Sequence, residues 1–437
     1  MDARQVILVI SIIVSAFFTA VYLVAFFSWK RRRRRIPDDK LPFVSIVVPA
    51  YNEGENIGET IESLLDLDYP KEKYEIIVVD DGSTDNTYEV AKRYEGGNVR
   101  VIRKENGGKS SALNVGIRNA RGEIIACMDA DSIATRDALR TLVEYIVEEN
   151  ADAVTPVMHV WNPKNFVEKF QWAEYNMSNV MRRALDALHA QYVVPGPFSI
   201  IRREVFDKWG YFEEGNITED MEMAMRIQAN GGKLVHASDA IVYTKVPKTI
   251  PALIKQRVRW NLGFVDNALR YRKAIAEHGG DLGNFVFPAI AIGLFITFLL
   301  AYNMVMDFIY QAQIFFTTLE KGGIWAVIRP ANWTINNIIT NTLFGILSYP
   351  AIYYTTMLVA LLTAFMVIYY AKRTGQRNVS WLGIFLFLSF YFVFMLVVWT
   401  IILLTKLFGR ELRFGGTVWR NSIINRLAGA YTQRQQS

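Results

Sequence analysis

Long apolar runs and short ones divide the chain into a membrane part and a soluble part. The first run, residues 6–29, carries no charge and is longer than the roughly 20 residues that cross a hydrocarbon core. Three further runs of similar length occupy residues 285–306, 343–370 and 382–404. The pattern predicts one spanning helix before the soluble part and about three after it.

Between residues 43 and 246, short β-branched runs alternate with charged segments of helical period. Four runs read as buried strands, at residues 44–49, 75–80, 99–103 and 123–128, and residues 57–67 read as a helix between two of them. This alternation predicts an α/β domain with parallel strands, doubly wound by helices. Ligands of such sheets lie beyond the carboxyl ends of the strands, so the residues after each run are candidates for chemistry.

A basic run at residues 30–35 follows the first apolar segment, which places it in the cytoplasm and the N-terminus outside. A cleaved signal peptide would carry its basic residues before the apolar core instead. Counting one span before the soluble domain and three after it puts the C-terminus outside. The basic residues of the tail favour a C-terminus on the inside; they are Arg410, Arg413, Arg420 and Arg426. A re-entrant or interfacial segment between residues 325 and 350 would resolve the conflict.

Composition agrees with a mixed protein, since 51% of residues are hydrophobic and 21% are charged. The net charge of +6 owes much to the 30–35 run beside an apolar segment, which favours anionic lipid headgroups over nucleic acid. The single Cys127 cannot pair within the chain, in keeping with packing in a reducing, cytosolic domain. The isolated histidines form no zinc motif, and Arg103 stands where a phosphate-binding Walker loop needs glycine.

Asp129 and Asp131 close the fourth predicted strand. Residues two apart on an extended segment point the same way, so both carboxylates can face one Mg²⁺ or Mn²⁺ ion. Such an ion completes its shell with water and substrate phosphates, which implies a nucleotide ligand. A solvated strand end is the alternative interpretation.

Two further polar clusters follow predicted strands. Asp80-Asp81-Gly82 ends the second one, where two adjacent acids repel unless a base, ribose hydroxyl or cation compensates, while Ser83 to Asp85 are explained by helix capping. Gly107-Gly108-Lys109-Ser110 could approach a diphosphate at a helix N-terminus or form a flexible turn.

Two motifs lie nearer the second apolar run. Thr218-Glu219-Asp220 precedes a helical stretch, either as an N-cap with acids at the helix dipole or as a site where Asp220 accepts a proton from an attacking hydroxyl. Gln256-Arg257-Val258-Arg259-Trp260 is either a basic membrane-surface helix or a site for a leaving diphosphate and a sugar or lipid face.

Taken in order with Val48-Pro49-Ala50-Tyr51-Asn52-Glu53, these motifs resemble those of family 2 membrane glycosyltransferases, and most of all the processive synthases of cellulose, chitin, hyaluronan and poly-N-acetylglucosamine. The resemblance implies a GT-A type, Rossmann-like α/β domain, cytosolic and inserted between transmembrane helices. It implies an inverting transfer from a nucleotide-sugar donor, usually a UDP-sugar, with Mg²⁺ or Mn²⁺, to a growing polysaccharide.

The resemblance also implies roles for single residues. Tyr51, Glu53 and Asp81 would bind the nucleoside, Lys109 and Asp129 would bind the diphosphate, and Asp131 would bind the metal together with Asp129. Asp220 would be the catalytic base, with Glu219 beside it in the catalytic motif. The acceptor and the diphosphate would be contacted by Gln256, Arg257, Arg259 and Trp260. Residues 195–203 resemble the loop near the acceptor sugar. No F-x-V-T-x-K gating loop follows Trp260, which disfavours cellulose. Single transfer to a lipid acceptor, a polyprenyl phosphate or a glycolipid, is the main alternative, and a transporter with a nucleotide-sensing domain a more distant one.

The resulting domain organisation has five parts. They are an N-terminal transmembrane helix with its basic stop (1–35), a GT-A glycosyltransferase domain (36–246), interfacial helices with the Gln-Arg-Val-Arg-Trp motif (247–284), about three transmembrane helices (285–406) and a basic tail (407–437). Membrane lipids, a nucleotide sugar and a polysaccharide or lipid acceptor are the expected partners, and nucleic acid is not.

Overall fold

The computed structural model describes residues 3–28, 35–328, 350–376, 378–408, 412–414 and 417–419. The chain forms two compact units. One comprises Met1–Leu23 and Phe287–Met366, and the other comprises Val24–Val286 and Val367–Ser437. The second unit contains all the candidate site residues named above.

The strands and helices alternate as the sequence predicts. The strands are β1 (Val44–Ala50), β2 (Tyr74–Asp80), β3 (Val99–Arg103), β4 (Ile124–Cys127), β5 (Ser132–Ala134), β6 (Ala153–Val160), β7 (Ser199–Arg202), β8 (Leu234–Thr244), β9 (Leu412–Phe414) and β10 (Thr417–Trp419). The helices are α1 (Ala3–Ser28), α2 (Ile57–Leu65), α3 (Thr87–Lys92), α4 (Lys109–Asn119), α5 (Ala138–Glu148), α6 (Phe166–Ala187), α7 (Arg203–Trp209), α8 (Glu219–Ala229), α9 (Ile250–His278), α10 (Phe287–Ile328), α11 (Pro350–Arg373) and α12 (Trp381–Phe408). The four strands expected from sequence are confirmed within one residue at each end.

One eight-stranded sheet forms the domain, in the order β3-β2-β1-β4-β7-β6-β8-β5. The strands β3, β2, β1 and β4 are parallel, whereas β7 is antiparallel to both its neighbours and β5 is antiparallel to β8. Parallel pairing is therefore confirmed for the four predicted strands, and the remaining strands make the sheet a mixed one. Only a few residues separate β5 from β4, too few for the dozen-residue crossover that a parallel neighbour needs, so β5 pairs at the far edge instead.

The sheet is buried on both faces, which explains why its strands read as continuous apolar runs. Ile46 and Val48 of β1 pack in one core with α2 and α5, while Val47 points to the other face and packs against α4. Because β2, β1 and β4 are parallel neighbours, their carboxyl ends lie at one edge. The residues after them, Tyr51, Asp81 and Asp129, are thereby brought together.

In the described part of the chain, three helices are long and apolar enough to cross a membrane. They cover Val9–Ser28, Leu282–Gly323 and Trp381–Phe408. The expected span at residues 343–370 corresponds to α11, although residues 343–349 lie outside the described residues. The basic run at 30–34, most of the 325–350 segment and the tail arginines Arg410, Arg420 and Arg426 also lie outside them.

The last apolar helix, α12, packs along α6 and α9 of the same unit over most of its length. Its buried positions form one stripe: Gly383, Ile384, Phe387, Val398, Ile402 and Thr405. Near its start, Phe387, Tyr391 and Phe394 surround Phe170 of α6. Near its end, Val398 and Ile402 share a core with Val258 and Leu262 of α9, and Lys406 pairs with Asp266.

Candidate functional site

A cavity of about 540 Å³ opens at the carboxyl ends of β1, β2 and β4. It is called the donor cavity below, after the nucleotide-sugar donor that the sequence resemblance implies. Its walls include Tyr51, Glu53, Asp81, Gly107, Gly108, Lys109, Asp129, Asp131, Glu219, Gln256 and Arg259. These residues come from six separate motifs of the sequence, and the fold brings them together.

The turn after β1 is held by the segment that follows β2. Asn52, at φ 55°, accepts a hydrogen bond from the Thr84 backbone N–H at 2.9 Å and donates its own N–H to the Ser83 hydroxyl at 3.0 Å. The N-cap residue of α3 is Asn86, so the expectation that Ser83 and Thr84 serve as helix caps is wrong. These bonds position Tyr51, whose side chain is 46% exposed at the cavity and is free to stack on a base.

Asp81 is buried and fastens the loop that precedes α4. Its carboxylate accepts the backbone N–H groups of Gly107 at 3.0 Å and Gly108 at 2.7 Å, and pairs with Lys104 at 2.6 Å. Its neighbour Asp80 pairs with Arg103 at 3.2 Å. The repulsion expected between the two acids is thus offset by protein cations, and Asp81 shapes the wall on which Lys109 sits.

Lys109, the first residue of α4, joins two motifs far apart in sequence. Its Nζ lies 2.6 Å from Asp129 Oδ1 and 3.3 Å from Glu219 Oε1. Burial opposes its charge, but Asp129, Glu219 and Asp220 outweigh burial and raise the pKa of Lys109. Burial in turn opposes ionisation of Glu219, yet Lys109 and Arg259 hold its pKa below the usual range. Lys109 therefore stays cationic, as a diphosphate ligand must.

Gly196 presses against this ion pair. A Cβ added there would lie 2.4 Å and 2.5 Å from the two Asp129 carboxylate oxygens and 2.6 Å from Lys109 Nζ. Both contacts are with the ends of flexible side chains, so the fold can tolerate the methyl group while the pair is displaced.

We expect Gly196→Ala to weaken donor use by about 10- to 100-fold in kcat/KM, because small displacements of binding groups cost that much. Initial rates over a range of donor concentrations, together with a melting curve that stays close to wild type, measure this. Gly293→Ala, whose Cβ would meet nothing within 4 Å, is the matched control. Unchanged donor kinetics in Gly196→Ala would contradict the role of the Lys109–Asp129 pair.

Asp131 is the carboxylate best suited to a cation. Burial, together with the charges of Asp129 and Glu53, raises the pKa of Asp131 to about 7, while a hydrogen bond from Ser132 opposes the shift. Burial and the nearby acids raise the pKa of Glu53 as well. No cluster of three or more metal-ligating side chains occurs among the described residues. Two carboxylates at a donor cavity nevertheless fit an ion such as Mg²⁺, which takes one or two protein carboxylates and completes its shell with substrate phosphates.

A second cavity, of about 280 Å³, adjoins the first and is called the acceptor cavity, after the acceptor that the sequence resemblance implies. Six residues line both cavities: Lys109, Asp129, Asp131, Glu219, Gln256 and Arg259. Asp220 lines the acceptor cavity, as do Pro195, Gly196, Pro197 and Trp260. The wall of charged residues thus separates two spaces that a donor and an acceptor can occupy at once.

Asp220 lies at the start of α8 with its carboxylate accepting the N–H of Met221 at 2.9 Å. Burial and Glu219 raise the pKa of Asp220 to about 6, while Lys109 and Arg259 oppose the rise. Thr218 is the N-cap residue by position, but its hydroxyl accepts a bond from Asn267 and makes no cap. A carboxylate with a pKa near 6 is suited to take a proton at neutral pH.

The two arginines of the Gln-Arg-Val-Arg-Trp motif have different surroundings. Arg257 is buried, forms a two-pronged pair with Glu174 of α6 at 2.9 and 2.5 Å, and stacks 4.2 Å from the ring centre of Trp260. Arg259 donates to the Ile217 carbonyl at 2.7 Å and lines both cavities. Arg259 is therefore the arginine of the motif that reaches the donor cavity, and Arg257 packs against Trp260.

Several residues of α6 that line the acceptor cavity belong to none of the motifs found in the sequence. Glu174, Ser178 and Arg182 line the acceptor cavity at intervals of four residues, one helix face. The spacing is visible in the sequence, but it is equally typical of a solvated polar face. Lys104, which pairs with Asp81, also lies outside every motif found in the sequence.

Comparison with known proteins agrees with these observations. Residues 45–210 match the family described as "Glycosyl transferase family 2". The chain is 32% identical over 236 residues to "Poly-beta-1,6-N-acetyl-D-glucosamine synthase" of Staphylococcus aureus strain COL, covering 53% of this chain and 57% of that protein. The enzyme of that name from Staphylococcus epidermidis is 31% identical over 231 residues, 52% and 56% of the two chains. The chain spans about half the length of the curated relatives that it matches. These matches confirm the resemblance noted in the sequence.

A solved structure supports the fold. The mannosyltransferase from Pyrobaculum calidifontis, in complex with GDP-Man and Mn²⁺, aligns with a TM-score of 0.53 and 23% identity. The alignment covers 85% of this chain and 100% of that one. The expected GT-A type α/β fold is thereby confirmed.

Proposed function

We propose that this chain, which carries a family 2 glycosyltransferase domain over residues 45–210, transfers a sugar from a nucleotide donor to a growing polysaccharide. The donor we propose is a UDP-sugar, and the transfer inverts the anomeric centre. The observation that carries the proposal is the pair of adjoining cavities, which share a charged wall and keep Asp220 on the acceptor side.

In this proposal the donor lies with its base against Tyr51 and its diphosphate near Lys109 and Arg259. Asp131 and Asp129 would hold a divalent metal, which would neutralise charge on the diphosphate. Asp220 accepts the proton of the acceptor hydroxyl while the oxygen of that hydroxyl bonds to the anomeric carbon. The bond from that carbon to the diphosphate breaks on the opposite face, so the configuration inverts, and Lys109 and Arg259 stabilise the charge of the leaving group.

The test is incubation of the purified chain in lipid nanodiscs with labelled nucleotide sugars and Mn²⁺ or Mg²⁺, followed by sizing of the products. The panel includes UDP-N-acetylglucosamine, other UDP-sugars and GDP-mannose, because the similar proteins are named for N-acetylglucosamine and mannose chemistry. A product whose length grows with time from one donor supports the proposal. One small product of fixed size, made only with added lipid acceptor, would replace polysaccharide synthesis by lipid glycosylation.

We also propose that the catalytic domain is cytosolic and that α12 lies along the membrane surface rather than across it. Most of the length of α12 contacts α6 and α9, which carry charged residues such as Glu174, Arg257 and Asp266 and cannot enter hydrocarbon. The opposite face of α12 is apolar and exposed, with Phe385 at 61%, Phe390 at 53% and Phe408 at 73%. A helix buried on one side by protein and on the other by the bilayer interface satisfies both faces.

A surface position for α12 changes the expected side of the C-terminus from outside to inside. Single cysteines at Asp2, at Lys372 and after Ser437, in a chain whose Cys127 is buried, can be probed with a membrane-impermeant maleimide. In intact cells we expect labelling at position 2 alone, and in inverted vesicles labelling at the other two. Labelling of the C-terminal cysteine from outside, with Lys372→Cys reacting only from inside, would show that α12 crosses the membrane.

A further inference from the structure

Arg182 of α6 lines the acceptor cavity, and in the part of the chain that the structure describes its guanidinium forms no ion pair at contact distance. Its Nη1 is buried and makes no hydrogen bond. Burial lowers the pKa of Arg182, and the groups that oppose this are Tyr192, Asp220 and Tyr175. A guanidinium that is desolvated without a bonded anion is costly, so it is most readily explained by a ligand that supplies the anion.

The other cations of this cavity have identified partners. Lys109 pairs with Asp129 and Glu219, Arg257 with Glu174, Lys245 with Glu59, and Arg259 donates to the Ile217 carbonyl at the wall shared with the donor cavity. Arg182 does not line the donor cavity. Its guanidinium is therefore placed for the acceptor and not for the donor diphosphate.

Neighbouring positions on α6 add a second donor. The Ser178 hydroxyl lines the same cavity one helical turn before Arg182. Asn179 contributes no further group, because its amide bonds both the N–H and the carbonyl of Met158, at 3.2 and 2.7 Å. A planar guanidinium with an adjacent hydroxyl is a donor set that suits an oxyanion.

We propose that Arg182, assisted by Ser178, binds an oxyanion carried by the first acceptor, a phosphate group close to the hydroxyl that receives the first sugar of the growing chain. The inference rests on the proposed function for the identity of the cavity, and it names the class of acceptor. Such a phosphate can belong to a lipid-linked sugar or to a soluble sugar phosphate. In either case the acceptor places its hydroxyl toward Asp220 and its phosphate toward α6.

Binding is measured first, since it needs no turnover. Calorimetry compares octyl phosphate with octyl β-glucoside, for wild type, Arg182→Gln, Arg182→Lys, Ser178→Ala and the exposed control Arg272→Gln, with folding of each variant checked by its melting temperature. We expect Arg182→Gln to weaken octyl phosphate binding by about 10- to 100-fold and leave octyl glucoside unchanged, with partial recovery in Arg182→Lys. Equal binding of octyl phosphate by wild type and Arg182→Gln overturns the proposal, whether or not the protein transfers sugar.

Transfer then separates the two sources of phosphate. The acceptors are octyl β-N-acetylglucosaminide, N-acetylglucosamine 1-phosphate and farnesyl-diphosphate-linked N-acetylglucosamine. The KM of a phosphorylated acceptor should rise about 10- to 100-fold in Arg182→Gln, with kcat and its pH profile little changed. A larger effect with the farnesyl acceptor identifies a lipid-linked sugar, and one with the 1-phosphate a soluble one. If instead the kcat–pH profile shifts and the KM of neutral and charged acceptors changes alike, Arg182 acts through Asp220 and the proposal is wrong.

Discussion

Asp220→Asn should lower transfer by at least about 10³-fold while donor binding stays within a factor of two, because a general base contributes roughly 10²–10⁴-fold to rate. Asparagine keeps the shape of the side chain and loses its ability to take a proton. Asp220 lines the acceptor cavity and not the donor cavity, so the donor site should survive the change. The measurements are kcat by product formation and the Kd of UDP by calorimetry, with exposed Asp281→Asn as the control.

The pH dependence of the wild-type enzyme offers a separate check on Asp220. Its pKa is raised to about 6 by burial and by Glu219, and only the deprotonated form accepts a proton. We therefore expect kcat to be level above pH 7, to fall as pH drops through about 6, and to be about tenfold lower at pH 5. Near-normal turnover by Asp220→Asn, or a flat profile down to pH 5, would show that another group is the base.

The sequence predicts the donor side of this site well, for a simple reason. Tyr51, Asp81 and Asp129 each follow a buried strand, and three parallel neighbouring strands deliver such residues to one edge whatever the details of packing. Strand ends are visible as the point where apolar runs stop. The position of these groups therefore follows from pattern and topology alone.

The acceptor side is less predictable because it depends on pairing between distant segments. Arg257 is neutralised by Glu174, more than 80 residues earlier, and nothing in the pattern of either helix reveals the partnership. Gly196 looks like an ordinary loop glycine until its contact with Asp129 is seen. The same holds for α12, whose apolar sequence is typical of a spanning helix although one of its faces is buried against polar helices.

The charges around the shared wall explain why two of its carboxylates are hard to ionise. Lys109 pairs directly with Asp129 and Glu219. Asp131 instead accepts a hydrogen bond from Ser132, and the charge of Lys109 offsets its burial and its two acidic neighbours only in part. Both Asp131 and Asp220 consequently have raised pKa values. A cation at Asp131 would relieve one repulsion, and a proton taken from the acceptor would relieve the other.

Asp131→Asn should therefore have opposite effects on metal binding and on stability. We expect the Mn²⁺ affinity measured with bound UDP to fall by at least about 100-fold, and transfer with it, since loss of even an outer-shell group costs 10- to 100-fold. In EDTA at pH 8 the melting temperature should rise, because the substitution removes a buried negative charge beside Asp129 and Glu53. Electron paramagnetic resonance of Mn²⁺ and thermal melting measure the two effects.

Exposed Asp207→Asn serves as the matched control and should change neither quantity. A destabilised Asp131→Asn would mean that the carboxylate is needed for folding, and unaltered Mn²⁺ affinity would place the metal on other ligands. A higher melting temperature combined with lost Mn²⁺ binding would show that Asp131 is held at a cost to stability for the sake of a cation. A carboxylate that lowers stability but binds a cation is expected in a metal-dependent donor site. A carboxylate at a solvated strand end is expected to do neither.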